Sequence, residues 1–290
     1  MRRNFIKVSW KDKLFDSINI ILLLMLVVVT IYPFINQFAI SLNDSSDAIK
    51  GGITFYPRVF SLSAYKFMFQ NDKLIRASII SILRVVIGTS TTVFATSLLA
   101  YIVTIKGFSG RRFMRRLFII TMYFSGGLIP FYMLIVKLGL IDSFTVYWLP
   151  GLFSAYHMLI IASYMQEIPY SLTESAMLDG AGVFTIFLKI IVPISIPVIA
   201  AICVFSGVGH WNSWFDVMIY NPSGDWDTLQ VFLRRMLLEI EALENLRDQQ
   251  MARTEFASLT AQTVRAATTM IVTIPIAIIY PFFQRFLFQA

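Results

Sequence analysis

The sequence predicts an all-α protein embedded in a membrane, and three observations carry that reading. Of its 290 residues, 57% are hydrophobic and only 14% are charged, where a soluble domain carries ~25% charged residues. Long apolar runs recur along the chain with no sizeable soluble segment between them. The Lys and Arg residues gather in short segments beside those runs. The net charge of +7 therefore reads as the positive-inside asymmetry of a membrane protein, and no nucleic-acid partner is expected.

A spanning helix needs ~20 mostly apolar residues. About six segments meet that test, near 17–40, 77–105, 113–137, 145–166, 189–220 and 264–288, within a single domain of residues 1–290. Pro150-Gly151 and His157 interrupt the fourth. The first is preceded by Arg2, Arg3, Lys7, Lys11 and Lys13. It is longer than a signal-peptide core and lacks a small-x-small cleavage site, so it reads as an uncleaved helix. Lys106, Arg111, Arg112, Arg115 and Arg116 mark the next basic loop. With six spans, the positive-inside rule places both termini in the cytoplasm and puts 41–76 and 221–263 outside. The outer stretch opens with the turn Asn221-Pro222-Ser223-Gly224. Helical spacing and mixed charge follow over Leu229 to Met251. This predicts a helix outside the membrane, either a contact for a partner protein or a solvated spacer.

Several chemistries are excluded. A single cysteine, Cys203, allows neither an internal disulfide nor a cysteine-based metal site. His157 and His210 lie in different spans without a carboxylate or cysteine at ligand spacing, so no metal is expected. No catalytic motif is present, and the absence of G-x-x-x-x-G-K-[ST] means no P-loop for ATP. No catalytic residue and no cofactor is expected.

The stretch 167–197, EIPYSLTESAMLDGAGVFTIFLKIIVPISIP, differs from an ordinary loop. Ser171 and Glu174 have capping-box spacing, predicting a short helix from near Leu172. Asp179-Gly180 ends it, because glycine adopts the left-handed conformation of a helix C-terminus. Val183, Phe184, Phe187, Leu188 and Ile191 then fall at helical spacing, and Pro193 and Pro197 lead into the fifth span. A helix-Gly-helix elbow of this kind suits a groove on a partner protein.

Glu174, Ala176, Asp179, Gly180, Ala181, Phe187, Ile190, Pro193 and Pro197 resemble the EAA loop of ABC importer permease subunits. Ser175 stands where the first Ala of that pattern is usual. The resemblance implies the six-transmembrane-helix fold of a type I ABC importer permease with a cytoplasmic coupling helix, located in the cell membrane. It assigns ATPase coupling to Glu174, Ala176, Asp179, Gly180, Ala181 and Phe187. It also implies three partners: ABC ATPase subunits, a second homologous permease in a heterodimer, and an extracytoplasmic solute-binding protein.

Trp211-Asn212-Ser213-Trp214-Phe215-Asp216 in the fifth span partly matches a W-N-x-F-like sequence of the carbohydrate-importing branch. Gly126-Gly127-Leu128-Ile129-Pro130 and Tyr280-Pro281-Phe282-Phe283-Gln284-Arg285-Phe286 resemble the same branch. In the third span the Gly pair is expected to permit close helix contact and Pro130 to bend the helix. An oligosaccharide substrate follows as an expectation, an acidic one included. In a continuous helix Trp211, Trp214 and Phe215 share a face, with Asn212 and Asp216 on an adjoining one. The expected pathway residues are Arg84, Trp211, Asn212, Trp214 and Asp216, with Arg84 either snorkelling or pairing with another chain. The alternative is an ion-coupled secondary carrier, which would need ionisable groups near the membrane midplane; these are scarce in the sequence.

Overall fold

A computed structural model of the chain describes residues 10–247 and 261–287. Arg2, Arg3, Lys7 and the end of the predicted outer helix at Met251 lie outside the described residues. The described chain is almost wholly helical. One isolated antiparallel bridge, Asn43 to Phe60, is its only extended pairing among the described residues. Two compact units are present, Met1–Gln70 with Leu237–Ile271, and Asn71–Met236 with Val272–Ala290.

In the first unit, α1 (Trp10–Ser41) is a 32-residue helix. Almost all its apolar side chains, Ile20 to Val29 among them, are exposed. Such a surface is stable only against lipid or another protein. Its last turn is buried, and Ala39 and Ile40 join Ala48, Ile53 and Ala266 in a small core. Two short helices follow, α2 (Ser45–Ala48) and α3 (Ser63–Phe69). The buried Asn43 organises this loop. Its Oδ1 accepts from the backbone N–H groups of Arg58 and Val59 at 2.8 and 3.0 Å. Its amide donates to Asp47 Oδ2 at 3.2 Å, and Arg58 Nε lies 2.9 Å from the same oxygen.

The second unit is built around α4 (Asp72–Thr104), 33 residues long. At 1.5 Å per residue it extends ~50 Å, more than the ~30 Å hydrocarbon core. Ala77, Ser81, Arg84, Gly88, Thr92, Thr96 and Ala100 are buried along it. Their three- and four-residue steps make one stripe. On that stripe pack α7 (Ala155–Glu167) and α11 (Ile196–Asn212).

The predicted third span, 113–137, is two helices, α5 (Arg111–Tyr123) and α6 (Leu128–Lys137), set at 118°. Gly127, at φ +84°, makes the break, and a Cβ placed on it would touch nothing within 4 Å. The expected roles of Gly126-Gly127 and Pro130 are thus corrected. The glycine turns the chain through a positive φ that other residues resist, and among the described residues no helix approaches it closely. Pro130 sits in the first turn of α6, where a missing N–H costs nothing.

The predicted fourth span is also discontinuous. A 3₁₀ turn (Phe144–Tyr147) and irregular backbone precede α7. Pro150 cannot donate, and α4 supplies the missing partners. Thr92 Oγ1 donates to Gly151 O at 3.2 Å, and Thr96 Oγ1 accepts from the Ser154 N–H at 3.3 Å. Non-helical backbone at membrane depth needs such satisfaction.

The remaining elements are α8 (Tyr170–Leu178), α9 (Val183–Ile186), a π-helical turn (Phe187–Ile191), α10 (Val192–Ile194), α11, α12 (Phe215–Tyr220), α13 (Leu229–Arg247) and α14 (Ala261–Leu287). Val183–Ile194 meets α11 at 83°. Among the described residues two single helices, α1 and α4, are long and apolar enough to cross a membrane, and each bent pair adds one more when counted as a span.

Candidate functional site

The elbow is a closed helix-turn unit. α8 begins at Tyr170 with Pro169 as its N-cap, and no side chain caps it. Ser171 therefore lies inside the first turn, and the expected Ser171–Glu174 capping box does not form. Pro169, at φ −56° and ψ 124°, starts the helix earlier, because its fixed φ is already helical. The C-terminus is as expected. Gly180 has φ +81°, its N–H donates to Met177 O at 3.0 Å, and the Ala181 N–H donates to Ala176 O at 2.9 Å. These two bonds make a Schellman motif. Ala176 is buried in the core and Ala181 packs against the same cluster.

The elbow is buried on one side and open on the other. Phe187 is fully buried, stacked on Tyr101 of α4 at 5.4 Å and edge-on to Phe94 at 6.3 Å. Ile186 and Ile191 are buried with it. The Lys106 ammonium lies 4.1 Å from the centre of the Tyr170 ring, a cation–π contact between the basic loop and the start of α8. Glu174, Asp179 and Gly180 are exposed. Leu178 is 89% exposed, a residue that sequence reasoning did not single out. Its only signal is an apolar side chain directly before Asp-Gly. Val183, Phe184 and Leu188, grouped with Phe187 by spacing, are exposed as well.

A second constellation lies in a cleft of about 490 Å³. Arg84, Tyr147, His157, Ser206, His210 and Asp216 line it, with Gly151, Ser154 and Ser213. Arg84 is 2% exposed. Its Nη1 donates to Asp216 Oδ1 at 3.3 Å and its Nη2 to Asp216 Oδ2, a two-bond fork. The guanidinium also sits 4.8 Å from the centre of the Tyr147 ring. Arg84 thus does not snorkel, and its partner is in its own chain. A charge in a membrane segment needs such a partner. Tyr147 Oη donates to Trp226 O at 2.9 Å. The His210 ring lies flush against Gly88, where an added Cβ would come within 2.6 Å of it.

The other expected pathway residues lie apart from this cleft. α11 ends at Asn212, and α12 starts only at Phe215. The expected common face of Trp211, Trp214 and Phe215, and that of Asn212 and Asp216, are therefore broken by the turn at Ser213-Trp214. Trp211 Nε1 donates to Val272 O of α14 at 3.2 Å, and its ring lines a separate apolar groove with Val85, Cys203, Gly207 and Ile276. Trp214 carries Arg234 over its ring at 4.1 Å. Asn212 is exposed and accepts from Gln230 Nε2 at 3.5 Å. Sequence reasoning missed Tyr147 and Ser206, and it treated the two histidines as isolated. Two histidines in apolar spans were the available signal.

The segment that opens at Asn221 is tied to the same unit. Gly224, at φ +79°, closes the predicted turn, its N–H donating to Asn221 O at 3.3 Å. The buried Asn221 side chain donates to Asp227 Oδ1 at 2.9 Å and accepts from the Trp226 N–H at 3.2 Å. The Leu229 N–H, at the start of α13, donates to Ser81 Oγ of α4 at 2.8 Å. Leu229, Val231 and Leu233 are buried, so the beginning of this helix is core rather than a solvated spacer. Among the described residues no group of three His, Cys, Asp or Glu side chains could hold a metal ion.

No family model matches the chain. Individual relatives do. The polygalacturonan/rhamnogalacturonan transport system permease protein YtcP of Bacillus subtilis (strain 168) is 33% identical over 276 residues, covering 95% of each chain. The arabinooligosaccharides transport system permease protein AraQ of the same organism is 27% identical over 270 residues, 91% of this chain and 89% of that one. Among solved structures, a chain of a bacterial ABC transporter involved in the import of the acidic polysaccharide alginate superposes with a TM-score of 0.87 at 25% identity, covering 96% of this chain and 98% of the other. The all-helical fold, the Schellman-closed elbow and relatedness along nearly the whole chain together show that the protein belongs to the family of membrane-spanning permease subunits of carbohydrate ABC importers.

Proposed function

We propose that this chain forms half of the translocation pathway of an ATP-driven importer for an oligosaccharide, delivered by an extracytoplasmic solute-binding protein. The observation that carries the carbohydrate assignment is the 33% identity, over 95% of the chain, to a permease named for polygalacturonan and rhamnogalacturonan transport. ATP hydrolysis belongs to a separate ABC ATPase subunit, and a second homologous permease completes the pore as a heterodimer. α5 supports that reading, since none of its 13 residues is buried within this chain.

The exposed side of the elbow, with Glu174, Asp179 and Leu178, is the surface offered to the ATPase. Ala176, Gly180, Ala181 and Phe187 hold it in shape. Both termini lie in the cytoplasm, and 221–263 lies outside, as the Lys and Arg distribution suggests. Arg84 and Asp216 belong to the solute pathway through the cleft. Trp211, Asn212 and Trp214 flank that pathway as structural and surface groups.

The test is transport. The chain, its partner permease, ATPase and binding protein are reconstituted in proteoliposomes and given labelled oligogalacturonides and arabinooligosaccharides. ATP-dependent uptake of at least one is expected. Uptake driven by a proton gradient without ATP would overturn the proposal in favour of a secondary carrier.

A further inference from the structure

We propose that Arg84 is the carboxylate-recognition residue of the cleft, and that Asp216 is a resident stand-in for the carboxylate of an acidic sugar, which takes its place on the guanidinium during passage. The inference rests on the carbohydrate reading above and names the substrate class within it, uronate-bearing oligosaccharides.

The two members of the pair are buried unequally. The Arg84 side chain is 3% exposed and that of Asp216 is 30% exposed. Both line the cleft, and the carboxylate is the more accessible member of the pair. A solute carboxylate that binds both terminal nitrogens of Arg84 must take the place that Asp216 holds on them.

The geometry suits exchange between carboxylates. Each terminal nitrogen of Arg84 addresses its own oxygen of Asp216, the planar fork with which arginine reads a carboxylate and which lysine cannot reproduce. Arg84 Nε is buried with no hydrogen-bond partner among the described residues, and so is His157 Nδ1 on the cleft wall. The internal pair thus leaves polar capacity unused, which a purely structural ion pair tends to satisfy.

The displaceable group sits beside a break in the helix, anchored through Val217 and Tyr220 rather than through its own position. Asp216 sits on α12, only six residues long and separated from α11 by the break at Ser213-Trp214. Arg84, in contrast, sits within the 33-residue α4, which fixes its position. The charge ledger selects the ligand. A uronate replacing Asp216 keeps the guanidinium paired, and the freed Asp216 turns to the water of the cleft. A neutral sugar displacing Asp216 leaves a buried cation uncompensated, a costly state. The cleft volume, about 490 Å³, falls within the ~300–1,000 Å³ of small-molecule sites.

The experiment measures ATP-dependent uptake of oligogalacturonate and of its methyl ester by the reconstituted importer. The result is the acid-to-ester ratio of each variant relative to the native chain, which cancels the preference of the shared binding protein. Arg84→Met combined with Asp216→Leu removes both charges while keeping apolar volume, a change that buried ion pairs commonly tolerate. The ratio is expected to fall by at least about tenfold. Asp216→Asn weakens the resident competitor and keeps Arg84, so the ratio is expected to rise several-fold. An unchanged ratio in a transporting double variant, or an unchanged or lower ratio in Asp216→Asn, overturns the inference and leaves the carbohydrate reading standing. A native importer that moves neither sugar form, nor any other oligosaccharide, removes both.

Discussion

The elbow and the cleft belong to one compact unit and solve opposite problems. The elbow presents backbone shape to the outside. Its defining features are a positive φ at Gly180, two turn hydrogen bonds and an exposed Leu178. The cleft holds charge on the inside. Its defining features are a 2% exposed Arg84 and the carboxylate that compensates it. All parts of the elbow come from some thirty consecutive residues, whereas residues 84, 147, 157, 210 and 216 meet in the cleft only through folding. The shape of an elbow can thus be written locally, while a buried charged site depends on packing between helices.

Four changes sharpen that comparison. The largest effect is expected for Phe187→Ala. Phe187 is fully buried and stacked on Tyr101, so truncation should cost ~3–5 kcal/mol. Thermal melting of the detergent-solubilised complex checks it; an unaltered midpoint would mean that the elbow does not depend on this anchor. The cleft counterpart is Gly88→Ala. The new methyl would meet the His210 ring at 2.6 Å, and overpacking of this kind costs ~1–3 kcal/mol. Lower stability together with impaired transport is expected, and a joint change His210→Ala should restore the melting temperature.

Gly180→Val acts on shape alone. Nothing lies within 4 Å of a Cβ at Gly180, so no clash contributes. Its φ of +81° makes a β-branched residue strained by ~1–2 kcal/mol. Solute-stimulated ATPase activity should fall while binding-protein docking outside persists, and full stimulation would remove the elbow from the coupling assignment. The smallest effect concerns pH. Burial pushes the Asp227 carboxyl above its ordinary range, against the lowering pull of Arg235 and Asn221. Its contribution to stability is then full below the ordinary value of 3.8 and is lost as pH rises through the raised one. Asp227→Asn should flatten the fall in stability with pH just above that value. Asp47, held low by the Asn43 amide, with Arg58 and Lys50 acting in the same direction, contributes the opposite slope and should be untouched. A melting series over about pH 4 to 6 reads the Asp227 slope, that of Asp47 lying below 3.8, and an unchanged slope in Asp227→Asn would refute the assignment.

What was legible in the sequence follows the same division. Asp179-Gly180 announced its turn, because one dipeptide determines the backbone there. The apolar runs announced a membrane protein, because hydropathy does not depend on neighbours. Ser171 misled, because Pro169, two residues earlier, starts the helix first. Hydropathy delimits the third, fourth and fifth spans and marks a bend only at Pro130 and an interruption only at Pro150-Gly151 and His157, because composition does not register a positive φ at Gly127 or backbone partners supplied from Thr92 and Thr96. Trp211, Trp214 and Phe215 were placed on one face by counting through a helix that stops at Asn212. Arg84 and Asp216 were each conspicuous, but 132 positions apart, and no local pattern could pair them.

The π-helical turn at Phe187–Ile191 has a consequence of its own. There the Val192 N–H bonds to Phe187 O, five residues back, so the turn takes in one residue more than an α-helical turn would. A π-helical turn covers about the same rotation as an α-helical one and spends one residue more on it, so the extra residue is absorbed locally and the segments on either side keep their relative direction. Deleting one residue from 187–191 would let the turn relax to ordinary pitch with the elbow still facing the same way. Deleting one from an ordinary α-helical stretch such as α11 would instead swing whatever lies beyond it by about 100°. The π-helical turn is thus a place where the chain between the elbow and α11 can lose a residue without redirecting the elbow's exposed surface.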